Sequence, residues 1–420
     1  MPQATMTRAM QTRLGAMLFL EYFIWGAWYV TVGTWLTLTR HFSGEQVALV
    51  AGTTAVGAMI APFFVGLVAD EMFATEKVLA ALHLVGAVLL LGASLLTSFG
   101  AIYALLLLYC LCFMPTLALT NSLAFRQMRD PAVEFGPIRV LGTAGWIVAG
   151  LLVGYMRLES TQRPLQIACV VSLVMAAYCL TLPPTPPLAV TVRAEKKLFP
   201  REAFAVFRKR STIVFVLASF LICIPLQFYY AFANLFLNEA GVKNAVGKMT
   251  GGQMSELVCM LLIPWFFRRL GVKYMLGLGM LAWVVRYVAF AYGNSGALMW
   301  MFWLGIVLHG ICYDFFFVTG QIYIDRESPP TLRAATQSLI TFITYGVGMF
   351  VGSWVSGAVV EHYSVQLAGG AVDHAWRPIW MFAAVAAGAT LVMMLATFKD
   401  EPRVESSEVA AALPSGAEAL

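Results

Sequence analysis

Long apolar segments recur along the whole chain, and they constrain its fold more than any other feature of the sequence. A helix of about 20 apolar residues crosses the roughly 30 Å hydrocarbon layer of a bilayer. Such segments lie at 14–38, 46–69, 77–98, 100–124, 136–156, 164–182, 211–237, 250–267, 274–293, 296–321, 334–358 and 378–398, numbered here as spans one to twelve. Lipid-facing backbone must satisfy its own hydrogen bonds, and these segments do not alternate in polarity as strands would. The sequence therefore predicts an all-α polytopic membrane protein of about twelve transmembrane helices.

The composition argues against an ordinary soluble protein. Hydrophobic residues make up 60% of the chain and charged residues 12%, whereas soluble domains average about 45–50% and about 25%. All seven cysteines lie inside apolar segments, so we predict neither a disulfide framework nor a metal site. The N-terminal stretch is basic and leads into an apolar run of about 25 residues, longer than the core of a cleaved signal peptide, which has about 7–15.

The distribution of Lys and Arg predicts the orientation in the membrane. If the N terminus is cytoplasmic, nineteen of the 27 basic residues lie on the cytoplasmic side and six on the outer side, with Arg139 and Arg286 inside spans. Cytoplasmic loops of membrane proteins collect Lys and Arg, so we expect both termini in the cytoplasm. The net charge of +5 reflects this asymmetry, and no nucleic-acid partner is expected.

A polar break divides the spans into two sets of six. Residues 183–210 begin with four prolines among five residues and end in a basic stretch. We expect a central cytoplasmic loop there, with a short helix at the membrane interface. The predicted divisions are a cytoplasmic N terminus (1–13), an N-terminal six-helix half (14–182), the central loop (183–210), a C-terminal six-helix half (211–398) and a disordered cytoplasmic tail (399–420). Two six-helix halves are typical of the major facilitator fold, in which the solute site lies between the halves.

Ionisable residues inside spans are the first candidates for that site, since a charge near the bilayer centre costs at least about 2.5–3.5 kcal/mol. In span five, Arg139, Thr143 and Trp146 are spaced i, i+4, i+7 and share one helix face. A cation, a hydroxyl and an aromatic plane on one face suit a polar solute that contains a ring. The alternative is that Arg139 extends to the lipid headgroups and Trp146 packs against lipid.

Span eight contributes an amide and an acid on one face. Gln253 and Glu256 are i, i+3 neighbours, and a long apolar run follows Glu256. The alternative is an exposed helix start, because Gln253 lies close to the outer side. The apolar run favours a functional role for Glu256.

Span ten places an acid deep inside an apolar run. Asp314 follows His309 and Tyr313, which are i, i+4 neighbours. An acid beside aromatic rings could hold a hydroxyl of the solute, and an acid that binds and releases a proton inside the membrane could couple transport to a proton gradient. The alternative is a structural ion pair with Arg139 or Arg286.

Span seven has polar residues beside a proline. Gln227, Tyr230 and Asn234 follow Pro225 at helical spacing, and a proline can bend a membrane helix near a site. An ordinary kink is the alternative.

Five other positions are interpreted as structural or as parts of a loop. Arg286 and Glu21 are expected to be paired within the bundle, and His83 is expected to be a packed polar residue. Gly66 and Asp70, in GLVADEMFATEK, resemble a short motif of facilitator carriers, and this loop is expected to latch the cytoplasmic side.

Several segments together resemble the bacterial nucleoside:proton symporters of the major facilitator superfamily. They are FGPIRVLGTAGW, the stretch 227–234, GQMSELV, CYDFFFVTGQ and SPPTLRAATQS, and the similarity runs from WGAW in span one to the last span. The resemblance implies uptake of nucleosides driven by the proton gradient across the inner membrane. The proton is the coupling ion, and no other cofactor is expected.

The resemblance also implies a set of substrate-binding residues. They are Arg139, Thr143, Trp146, Gln227, Tyr230, Gln253, Glu256, His309, Tyr313 and Asp314, with Asp314 and then Glu256 as candidates for proton coupling. Three positions depart from the expected pattern. Tyr230 and Glu21 stand where an amide is expected, and His309 stands where a tyrosine is expected.

The expected partners are a nucleoside and the bilayer, with the chain acting as a monomer in a bacterial inner membrane. Rival interpretations are a proton-coupled carrier of a sugar, a drug-like ring compound or a modified nucleoside, and a facilitator without proton coupling. A membrane-embedded enzyme is disfavoured, since the sequence has no metal-ligand spacing, nucleophile–base pair or phosphate-binding loop. Nothing in the sequence supports a receptor or a channel.

Overall fold

The computed structural model of this chain describes residues 6–64, 73–186, 201–329, 332–366 and 372–399. The helices are α1 (Arg8–Trp28), α2 (Val32–Arg40), α3 (Gly44–Phe64), α4 (Thr75–Leu95), α5 (Phe99–Gln127), α6 (Pro131–Tyr155), α7 (Arg163–Cys179), α8 (Arg210–Glu239), α9 (Ala245–Tyr292), α10 (Met299–Val307), α11 (His309–Tyr313), α12 (Thr319–Glu327), α13 (Arg333–Thr341), α14 (Met349–His362) and α15 (Trp376–Thr397). A 3₁₀ helix (Arg201–Arg208) precedes α8, and π-helical turns occupy Asp314–Val318 and Phe342–Gly348. Strands β1 (Ser364–Gln366) and β2 (Val372–His374) form an antiparallel hairpin.

These helices make twelve membrane spans in the described part of the chain. Ten helical segments are long and apolar enough to cross a membrane, and Arg163–Cys179 is a shorter apolar helix. The 48 residues of α9 would extend about 72 Å at 1.5 Å per residue, and the helix breaks at Gly271, so α9 holds spans eight and nine. Span one joins α1 and α2, span ten runs from α10 to α12, and span eleven joins α13 and α14. The expected number of transmembrane helices is confirmed.

The spans pack as two groups that meet along a few helices. Helix α1 packs on α6 and α7, and α4 packs on α5 and α7. In the second group, α15 packs on α8 and α9, and α14 packs on α8. The groups meet where α3 packs on α14, α6 on α9, and α2 on α8. The space between the groups is therefore bordered by spans of both.

The outer surface of the bundle is apolar. Large hydrophobic side chains are exposed on it, including Leu261 (82% exposed), Trp354 (68%) and Val88 (65%). Exposed apolar area of this extent on a helical bundle matches contact with lipid tails. The chain is a multi-pass membrane protein.

Small residues let α1 and α6 approach closely. A Cβ atom at Gly26 would lie 3.0 Å from the Cα atom of Trp146, and one at Gly145 would overlap the backbone of Phe19. Glycine at these positions allows the two helix backbones to touch, as at many membrane helix interfaces. This contact sets Trp146 directly against span one.

Helix edges differ from the hydropathy boundaries where caps and polar turns extend a helix. Helix α1 begins at Arg8 rather than near residue 14, because the Thr7 hydroxyl accepts a hydrogen bond from the Met10 amide at 3.3 Å. A 3₁₀ helix stands at 201–208, where a short interfacial helix is expected. Gly66 and Asp70, residues 187–200 of the central loop and the tail from residue 400 lie outside the described residues.

We expect Gly271→Ala to destabilise the protein. Gly271 has φ 67° and ψ 179°, a backbone region that only glycine adopts readily. Apart from its chain neighbours and the backbone of its own helix, no described residue comes within 4 Å of its Cβ position. The cost is therefore one of backbone strain, about 1–3 kcal/mol. It is measured as a lower apparent Tm of the purified protein in detergent.

Gly100→Ala is the matched control for this substitution. Gly100 lies in α5 with equally open space around it and no positive φ. Alanine there is expected to leave Tm unchanged or to raise it, because alanine favours helix more than glycine. Equal Tm values for the two variants would contradict the strain at Gly271.

Candidate functional site

A narrow crevice lies where spans one, five, seven and eight meet, between the two groups of helices. Trp146, Tyr230 and Gln253 line it from spans five, seven and eight, and Gly26 of span one closes another side. The structure thus brings three of the predicted site residues together from both groups of helices.

Aromatic rings form the walls of the crevice. Trp146 packs edge-on against Trp25, with 5.3 Å between ring centroids. Opposite, Tyr230 lies 6.0 Å from the ring of Tyr29 and 5.9 Å from that of Tyr229. Flat apolar walls with polar groups at their edges suit a planar heterocycle.

The Arg139 side chain turns toward span one. Its guanidinium lies over the ring of Tyr22 at 4.4 Å, and Nη1 is buried with no hydrogen-bond partner among the described residues. Thr143 is half-buried one turn further along α6. Arg139 therefore offers an unused buried donor on the face that also carries Trp146.

Three side chains from spans eight, nine and ten form a continuous polar chain. Arg286 is fully buried, and its Nη1 lies 2.9 Å from His309 Nδ1. His309 Nε2 lies 2.8 Å from Glu256 Oε1. The guanidinium also stacks on Tyr229, with its carbon 3.4 Å from the ring centroid. Arg286, interpreted from the sequence as structural, contacts the site directly.

The chemistry of Arg286 determines the tautomer of His309. A guanidinium has only donors, so Nδ1 of His309 must accept and the ring proton must lie on Nε2. Nε2–H then donates to the Glu256 carboxylate. Glu256 is held by one oxygen, and its side chain is 20% exposed, so its other oxygen can accept a hydrogen bond from a solute.

Asp314 lies in the first π-helical turn, one residue after Tyr313. It is fully buried, and neither carboxylate oxygen has a hydrogen-bond partner among the described residues. The suggested ion pair with Arg139 or Arg286 does not form, since the first stacks on Tyr22 and the second bonds His309. An unpaired buried carboxylate is costly in its ionised form, and binding a proton removes that cost.

The polar residues of span seven and Tyr313 of span ten make contacts beside the crevice. Gln227 is buried and donates to the Ser353 hydroxyl at 2.6 Å, so it turns toward span eleven. Tyr313 accepts a hydrogen bond from the Tyr345 hydroxyl at 2.9 Å. Asn234 lies further along, at the end of the bundle, where it donates to Glu159 at 2.7 Å.

Glu21 and His83 form a buried pair within the first group of helices, away from the crevice. Glu21 Oε2 lies 3.0 Å from His83 Nε2, and Glu21 Oε1 lies 2.5 Å from the Thr116 hydroxyl. His83 Nδ1 lies 3.3 Å from Ser172 Oγ. The structure thus places a buried partner beside Glu21, as expected for a residue paired within the bundle.

Sequence reasoning missed two parts of this arrangement. The contact of Arg286 with His309 has no signal in the spacing, although the burial cost of Arg286 marks it for attention. Tyr229 and Tyr345 were also missed, since an aromatic residue in a membrane span carries no local signal of function. Among the described residues, no three His, Cys, Asp or Glu side chains are grouped so that they could hold a metal ion.

Comparison with known proteins places this architecture in a family. The family described as Nucleoside H+ symporter matches residues 8–403. The YegT protein of Escherichia coli is 38% identical over 92% of this chain and 93% of its own length, and the xanthosine permease of Escherichia coli is 34% identical over 88% and 91%. A crystal structure of a variant of the nucleoside transporter NupG superposes with a TM-score of 0.87 at 28% identity, covering 93% of this chain and all of that one.

More distant structures agree on the fold alone. A bacterial homologue of the lysosomal transporter Spinster superposes with a TM-score of 0.72 at 16% identity. The family match covers nearly the whole chain and includes every span that builds the crevice. With its major facilitator fold and a polar site between two groups of helices, this chain belongs to the nucleoside:proton symporter family, whose members carry out proton-coupled nucleoside transport.

Proposed function

We propose that this chain imports nucleosides with protons across a bacterial inner membrane by alternating access, as a monomer with both termini in the cytoplasm. The observation that carries the proposal is the crevice between the two groups of helices, with aromatic walls and the Arg286–His309–Glu256 chain beside it. The excess of basic residues on the side of the termini supports the orientation. A monomer suffices, because one chain supplies both sides of the crevice.

In this proposal the base and the ribose use different parts of the site. The base stacks between the walls formed by Trp146 and Tyr230, and Gln253 bonds its polar edge through its amide. The free oxygen of Glu256 accepts a ribose hydroxyl, and the unpartnered Nη1 of Arg139 donates to a solute oxygen. Tyr313 and Thr143 supply further hydroxyls at the border, and Gln227 reaches the solute if it leaves Ser353.

The proton binds at Asp314 in this proposal. The ionised form of Asp314 is uncompensated in the described structure, and Glu256 acts on it electrostatically from span eight. When solute binds from outside, a proton binds to Asp314 and neutralises its carboxylate. The two groups of helices then rock about the crevice and release both proton and nucleoside to the cytoplasm.

Uptake of radiolabelled uridine, adenosine and xanthosine by cells that lack their own nucleoside uptake tests this function. We expect uptake that a protonophore abolishes, and Asp314→Asn should lower it at least tenfold, because an amide cannot take up the coupling proton. Asp325→Asn is the control, since Asp325 lies on the same span but is 48% exposed in a surface pair with Arg333. No uptake of any nucleoside by well-expressed protein would refute the substrate, and uptake indifferent to the protonophore would refute the coupling.

Competition separates a nucleoside carrier from a sugar or drug carrier. Excess unlabelled uridine or adenosine should block uptake of the labelled compound, whereas free ribose should not. The reason is that the aromatic walls contribute affinity only through the base, about 0.5–1.5 kcal/mol per aromatic contact beyond area burial. Equal competition by ribose would show that the base is not recognised.

Arg286→Gln should impair transport by releasing His309. Glutamine is shorter than arginine and its amide can both donate and accept, so the ring proton of His309 is no longer confined to Nε2 and the bond to Glu256 is no longer enforced. A hydrogen bond to a charged group contributes about 1.5–3 kcal/mol, so we expect uptake to fall about tenfold or more. Arg377→Gln is the control, because Arg377 also stacks on an aromatic ring, that of Tyr292 at 4.3 Å, but lies on the surface. Unchanged uptake in Arg286→Gln would show that the polar chain has no part in transport.

A further inference from the structure

Two glutamates bridge the groups of helices at the end of the bundle opposite the termini. This end, the outer face, holds the links between spans one and two, five and six, seven and eight, and eleven and twelve. Glu159 lies in the link after span five, and Glu361 is the penultimate residue of α14 in span eleven. Neither belongs to the solute site.

Glu159 accepts three hydrogen bonds from the opposite group of helices on a single oxygen. Its Oε2 lies 2.7 Å from Asn234 Nδ2, 2.9 Å from Asn238 Nδ2 and 3.1 Å from the backbone nitrogen of Val246. Val246 is the second residue of α9, so its amide has no partner within the helix. Only 5% of Glu159 is exposed. A buried carboxylate thus caps a helix that belongs to the other half.

Glu361, in the C-terminal half, makes the same kind of contact with a helix of the N-terminal half. Its Oε2 accepts from the backbone nitrogen of Gly44 at 2.7 Å. Gly44 is the first residue of α3, in span two. The N-terminal end of a helix carries partial positive charge and unpaired amides, so a carboxylate there is doubly stabilised.

The two contacts are related by the six-span repeat. Spans five and eleven occupy equivalent positions in the two halves, and so do spans two and eight. Glu159, after span five, caps span eight, and Glu361, in span eleven, caps span two. A glycine beside each contact lets the two helices approach closely. A Cβ atom at Gly154 of α6 would lie 2.9 Å from the Gly247 backbone nitrogen, and one at Gly357 of α14 would lie 3.0 Å from the Glu45 Cα atom.

We propose that Glu159 and Glu361 are a matched pair of gate residues that hold the outer face closed, and that both caps must break for solute to enter from outside. The proposal rests on the alternating access proposed above. Hydrogen bonds of 2.7–3.1 Å do not survive separation of the helices by more than a fraction of an ångström. Water can solvate all the released groups once the face opens, so the caps can break and form again in each cycle.

Accessibility of a single cysteine in the crevice measures the gate directly. Val30 lines the crevice and is half-buried, so opening of the outer face should raise the rate at which a membrane-impermeant maleimide labels Val30→Cys in intact cells. Labelling is compared with the same variants lacking Val30→Cys, which corrects for the seven native cysteines. This readout needs no nucleoside uptake, so a wrong substrate assignment would leave it interpretable.

Glu159→Ala and Glu361→Ala are each expected to raise the labelling rate about tenfold, and the double variant more. Glu159→Gln and Glu361→Gln keep an uncharged acceptor and should raise it several-fold, so they decide the matter if an alanine variant does not fold. Glu239→Ala is the matched control. Glu239 is on the same face but bonds His374 and Trp376 within its own half, and its loss should leave labelling unchanged.

Labelling of the Glu159 and Glu361 variants at the rate of the parent, or an equal increase in Glu239→Ala, would overturn the gate. Monodisperse elution of each variant in detergent serves as the folding check.

Discussion

A charge inside a membrane-spanning bundle must find its partner within the bundle, and the arrangement of this protein depends on which charges do so. Glu21 is held by His83 and Thr116. Arg286 bonds His309 through Nη1 and stacks on Tyr229, while its Nε and Nη2 have no hydrogen-bond partner among the described residues. Asp314 has no such partner among the described residues. The deep carboxylates of Glu21 and Glu256 each bond a histidine, so the need for a proton is greatest at Asp314.

The site and the outer face use the same interface between the halves in different ways. Inside the bundle the interface includes a narrow crevice with aromatic walls, which extends as far as Val246. At the outer face it consists of glycine contacts and carboxylate caps, which water can replace. Packing of large apolar side chains would resist separation, whereas hydrogen bonds between small-residue helices can be exchanged for bonds to water. An interface of the second kind suits halves that move against each other.

Local sequence patterns identified some residues of the site but not the contacts that their side chains make. The burial cost of charge marks Arg139, Glu256 and Asp314 from the sequence alone, and helical spacing places Trp146 with Arg139 and Gln253 with Glu256. The direction in which a side chain turns does not follow from spacing. Gln227 shares a face with Tyr230 by sequence, yet its amide bonds Ser353 on span eleven while Tyr230 lines the crevice. Glu159 carries no signal, since an acid in a polar link is indistinguishable from a solvated one until its three donors are seen.

The sequence by itself determined the class of molecule, the number of spans and the family, because the bilayer imposes a length and polarity on each span that local composition must meet. It also identified which ionisable residues are costly. Only the tertiary structure decided which of them are paired, because a partner comes from another span at any distance along the chain. It took the packing of spans eight, nine and ten to join Glu256, Arg286 and His309, and the meeting of the two halves to join Glu159 with Val246 and Glu361 with Gly44.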